Sequence, residues 1–214
     1  MYTLVPDPKG ALGAPAAPPF RLAALSSLWR NERVRSSALG YFGHMWELYT
    51  AWVLLPVILA SRIADSVTVS WWAFACLAMG AAGCVLGGKL ATRWGSARVA
   101  VANLATSGAC CIAAPLALHA AEPLFLAWLL LWGITVVGDS PQFSALTASN
   151  APREAVGSVL TLVNSIGFAI SALSIECFTR AEARMELEHQ LPWLAIGPFI
   201  GLVAMRPLLT PSTR

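Results

Sequence analysis

Along the chain, long uncharged apolar stretches alternate with short polar junctions. No Asp, Glu, Lys or Arg occurs over 48–61, 66–88, 99–118 or 123–138. A helix rises about 1.5 Å per residue, so about 20 apolar residues cross a hydrocarbon core of roughly 30 Å. Several of these stretches meet that length. The pattern predicts six membrane-spanning helices, over 37–60, 70–88, 97–118, 123–148, 156–178 and 191–208. The last has a short uncharged run, 192–205, so Arg206 must reach toward the interface. The fold class expected is an all-α membrane protein, a bundle of six transmembrane helices. Its divisions are a cytoplasmic tail and linker over 1–36, the bundle over 37–208 and a cytoplasmic tail over 209–214.

Composition supports the same class. Hydrophobic residues make up 57% of the chain and charged residues 12%, against roughly 25% charged in ordinary globular domains. Water would leave such a chain with large exposed apolar patches. Residues 1–19, rich in Pro, Gly and Ala, lack the continuous apolar run of a signal peptide and read as a tail. In 20–35, Phe20, Leu22, Leu25, Leu28 and Trp29 alternate with Arg21, Arg30, Arg33 and Arg35. That stretch suits an amphipathic basic helix on an anionic surface, or a plain basic flank of the first span.

Charge placement sets orientation. An even number of spans puts both termini on one side. That side then holds Lys9, Arg21, Arg30, Arg33, Arg35, Lys89, Arg93, Arg98, Arg153, Arg206 and Arg214, leaving Arg62, Arg180 and Arg184 opposite. The bias points to cytoplasmic termini. Trp71, Trp72 and Trp193 fall where the outer aromatic belt belongs. Small residues recur at close spacing, Gly80, Gly83 and Gly87 in the second span and Gly197 and Gly201 in the sixth, as helix packing in a bilayer favours.

Ionisable side chains at membrane depth are costly and mark candidate sites. In GYFGHMWELYTAW, His44 and Glu47 are three apart and share a helix face. Glu47 falls about 15 Å along the helix from Ser37, near the midplane. It suits either a proton carrier or a structural hydrogen bond to a neighbouring helix. The segment GDSPQFS, 138–144, gathers Asp139, Ser140 and Gln142 around Pro141, which removes a helix hydrogen bond and predicts a kink. Asp139, about 24 Å along from Pro123, falls near the cytoplasmic interface, where a gate or ion pair fits better than a central site. Thr161, Asn164 and Ser165 either line a polar cavity or bond between helices.

The five cysteines, Cys76, Cys84, Cys110, Cys111 and Cys177, sit in apolar segments and read as packing residues. His119 and Glu176 fall at outer helix ends and read as solvated. No zinc-protease pattern, serine elbow or phosphate loop occurs, so no enzyme, cofactor or metal is expected.

The junction GGKLATRWGSAR, 87–98, resembles the cytoplasmic signature between the second and third helices of each half of major facilitator transporters. Gly88, Leu90, Arg93 and Gly95 match it and Arg98 supplies a later basic residue, whereas Thr92 replaces its acidic residue and Ser96 a basic one. GYFGHMWELY and GDSPQFSAL are similar to segments in the C-terminal half of bacterial members, although the glycine-rich signature of nitrate carriers is absent from 156–178. The resemblance covers about 20–210 and implies one six-helix half of a secondary transporter in a bacterial inner membrane. Such a half acts by alternating access against a second half or a second copy.

The resemblance further implies that Asp139 pairs with Arg93 or Arg98, beside Gln142, as a cytoplasmic gate. The expected function is a proton-coupled transporter component whose substrate and proton pathway uses His44, Glu47 and Asn164. The alternative is a non-transporting half. The bilayer and a small-molecule substrate are the expected partners, with no nucleic acid.

Overall fold

The computed structural model describes Ser26 and residues 30–210. The tail 1–19, most of the amphipathic stretch 20–35 and residues 211–214 lie outside the described residues. The rest is helical. Among the described residues five helical segments are long and apolar enough to cross a membrane, and the first is α1, Glu32–Ala60. Asn31 caps it: its side-chain oxygen accepts the backbone N–H groups of Arg33 and Val34 at 3.0 and 3.3 Å. Glu32 in the first turn complements the helix dipole. The helix thus starts five residues before the predicted span.

The second crossing, α2, is Ser66–Trp94, and the third, α3, is Ser96–Leu118. The junction expected as a loop over 87–98 is therefore mostly helix. Lys89, Arg93 and their neighbours end the apolar run without ending the helix, because charged residues mark water and not a break in backbone hydrogen bonding. The whole turn is Gly95, with φ +83° and ψ 147°, a region nearly closed to residues with a Cβ. No side chain crowds Gly95, so replacement meets backbone strain alone. Gly95→Ala is expected to cost about 1–3 kcal/mol, read as a lower unfolding midpoint in mixed micelles.

The fourth crossing is in two parts, α4, Glu122–Gly138, and α5, Ser140–Asn150. They meet at Asp139, two residues before Pro141, where the sequence predicts a kink. Next comes α6, Val156–Glu182. The sixth predicted span is helical but broken: α7, Leu187–Gln190, a 3-10 turn Leu191–Ala195, α8, Ile196–Ala204, and α9, Arg206–Leu209. Pro192, Pro198 and Pro207 each withhold a backbone donor, which fragments it. The segment still packs along α1 and α3 as a sixth member of the bundle.

Two apolar cores fill the interior. One, nearer the C-terminal end of α1, joins Leu54, Ile58, Phe125, Trp128, Leu191 and Leu194. The other joins Val34, Ala38, Leu104, Phe143, Val159 and Met205. On α1 the first core begins at Leu48 and the second ends at Met45. His44 and Glu47 occupy the seam between them. Outward, Trp71, Phe74, Leu116 and Phe199 are among the most exposed apolar side chains, as a lipid-facing surface requires.

Candidate functional site

The seam is polar and buried. His44, Glu47 and Asp139 are each 0% exposed, and Ser107, Thr50 and Ser174 are also buried. Their elements fix them. His44 and Glu47 lie one helical turn apart on α1, Ser107 and Cys111 lie one turn apart on α3, and Trp132 comes from α4.

Glu47 is the more fully bonded carboxylate. Trp132 Nε1 donates to its Oε1 at 2.7 Å and Cys111 Sγ to the same oxygen at 3.2 Å, while Ser107 Oγ donates to Oε2 at 2.9 Å. Three donors suit an acceptor-only group. Ser107 Oγ also lies 3.2 Å from the Leu104 carbonyl. If its hydroxyl turns to that carbonyl, a lone pair is released that can accept a proton carried by Glu47. Both protonation states of Glu47 can therefore be hydrogen-bonded with the same heavy atoms in place.

His44 bridges two partners at the α4–α5 break. Its Nε2 lies 2.7 Å from Ser140 Oγ and its Nδ1 lies 3.0 Å from Asp139 Oδ1. The rings of Tyr41 and Phe143 flank it at 5.9 and 5.5 Å between centroids. His44 is the side chain that meets the Asp139 carboxylate, and no other side-chain donor reaches its oxygens among the described residues. A buried carboxylate so poorly supplied with donors needs a cation or a proton beside it. His44 is the side chain placed to provide either.

The structure does not bring the residues of the expected gate together. Asp139 meets His44, while Arg93 and Arg98 are exposed and make no ion pair with it among the described residues. With α5 running to Asn150, Asp139 is about 16 Å from that helix end, and His44 is about 18 Å from Glu32. The two therefore share a level of the bundle, as their 3.0 Å contact requires. At the far end of α5, Asn31 Nδ2 donates to the Asn150 carbonyl and Arg33 Nε to Asn150 Oδ1, both at 3.0 Å. This pair of contacts ties α1 to α5 where the gate was sought.

Gln142 is buried one turn beyond Asp139, its backbone N–H donating to the Asp139 carbonyl at 2.9 Å. Asn164 is apart from the cluster. It is exposed on α6 with Thr161 and Ser165. Trp132, Ser107 and Cys111 were missed by sequence reasoning, and Ser140 was seen only as part of a polar stretch. Trp132 has a second role: with Ala51, Trp52, Leu55, Cys76 and Gly133 it lines a small cleft of about 20 Å³. Its indole thus stands between that cleft and Glu47.

The Major Facilitator Superfamily model matches residues 1–175 of the chain. No curated protein matches it.

Proposed function

Since the chain belongs to the Major Facilitator Superfamily, a family of multi-pass membrane transporters of small molecules, we propose that it is a proton-coupled transporter component working by alternating access. The observation that carries this reading is Glu47: a carboxylate enclosed at mid-bundle, whose hydrogen-bond partners suit either protonation state. His44 and Asp139 supply a second proton-holding pair on the neighbouring turn. In this reading Trp132 opens and closes the route between Glu47 and the cleft, and rearrangement at the Asp139 break lets α5 move relative to α4.

A second bundle completes the transporter. Thr161, Asn164 and Ser165 are all exposed on α6, and polar side chains at membrane depth avoid lipid in favour of protein or water. A second six-helix half or a second copy of this chain would cover that face, with Asn164 on the shared pathway. The orientation proposed has both termini in the cytoplasm of a bacterium, consistent with the basic residues of the Gly95 turn and of α1's N-terminal end sharing one end of the bundle.

Proteoliposomes holding a pH-sensitive dye test the coupling. Under an imposed membrane potential, the wild-type chain is expected to pass protons faster than empty liposomes, and Glu47→Gln to fall to the empty-liposome rate. Equal proton flux in wild type and variant would overturn the role of Glu47.

A further inference from the structure

We propose that a divalent transition-metal ion binds at the end of the bundle opposite the Gly95 turn, held by His119, Glu186, Glu188 and His189. Two chain segments meet there. His119 follows α3, and the other three lie in and just before α7. His119 Nε2 is 2.5 Å from Glu188 Oε2 and His189 Nδ1 is 3.7 Å from Glu188 Oε1. Ligand atoms of Glu186, Glu188 and His189 all lie within 4.8 Å of one another.

These spacings suit a metal better than an ordinary surface ion pair. Bonds of about 2.0–2.2 Å to imidazole nitrogen and carboxylate oxygen place tetrahedral ligand atoms about 3.3–3.6 Å apart. The His189–Glu188 separation is already near that value. The short His119–Glu188 contact holds a hydrogen where the metal would sit, and opening it by about 1 Å completes the set. Two carboxylates brought this close repel unless a cation or proton lies between them.

The donor set chooses the ion class. Two imidazoles with two carboxylates favour zinc, copper or nickel over calcium or magnesium, which prefer oxygen ligands alone. Arg62 also lines the cleft beside His119, Glu186 and Glu188, and its charge opposes a cation. Its guanidinium is occupied, however, bonded to the Leu118 and Ala120 carbonyls and stacked 5.3 Å from the Phe125 ring centroid. The two glutamates still leave the cleft net negative. A bound ion would join the α3–α4 corner to the α6–α7 link and restrain the opening of that end.

The full chain, purified without a histidine tag, would be titrated with Co²⁺ by visible absorption and with Zn²⁺ by calorimetry. One ion per chain, displaced from Co²⁺ to Zn²⁺, is expected. His119→Ala/His189→Ala should weaken binding at least tenfold, and Glu188→Gln should do so while keeping side-chain volume. Absence of binding by the wild-type chain would overturn the proposal without recourse to a variant. So would affinity unchanged in both variants.

Discussion

His44→Ala is expected to destabilise the bundle by about 3–5 kcal/mol, the cost of stripping one partner from a buried charged pair. His44 and Asp139 are both fully buried, and no other side-chain donor reaches the Asp139 carboxylate among the described residues. Removing the imidazole also leaves Ser140 Oγ without its 2.7 Å partner and opens a cavity between Tyr41 and Phe143. Adding Asp139→Asn should recover most of the loss, since an amide carries no charge to desolvate. The double variant therefore should be more stable than His44→Ala alone. Unfolding in mixed micelles of the two single variants and the double variant gives the coupling energy directly. Strict additivity would show that the pair is not what holds Asp139 in place.

That pairing marks the boundary of what the sequence made legible. A histidine, a glutamate and an aspartate inside apolar stretches are conspicuous, and each does enter the buried seam. Their partners were hidden because helix periodicity fixes a face without naming the neighbour it meets. His44 and Glu47 share a face of α1, yet one turns to the α4–α5 break and the other to α3 and α4. Trp132 lies in the uncharged run 123–138 and reads as one more lipid-soluble residue. Its N–H matters only once α4 packs beside α1. Cys111 was read as packing, which its burial bears out, and it also donates to Glu47. The distance between Asp139 and the basic residues of the Gly95 turn has a different cause: charges mark where an apolar run ends, but α2 continues as helix through Lys89 and Arg93. The broken sixth segment was visible in its three prolines but not in its hydropathy.

The glycine spacing of α2 was also legible, and it yields the second large effect. Gly83→Ala is expected to cost about 3 kcal/mol, at the upper end for overpacking, whereas Gly88→Ala, five residues along the same helix, should be neutral or stabilising by up to about 1 kcal/mol. A Cβ on Gly83 would fall inside the van der Waals boundary of the Ile134 carbonyl oxygen, and backbone cannot swing aside as a flexible side chain does. The flanking positions on this face leave little room for adjustment. A Cβ on Gly80 would meet Val137 at 2.7 Å and one on Gly87 the Gly138 carbonyl oxygen at 2.7 Å. Separating α2 from α4 to relieve Gly83 would thus loosen the stretch of α4 that carries Trp132 and leads into Asp139. Gly88 is exposed with nothing within 4 Å of an added Cβ, so only the intrinsic helix preference for alanine acts there. The opposite signs separate helix propensity from interhelical contact. Equal unfolding midpoints for the two variants would show that α2 and α4 do not approach as closely as their glycines allow.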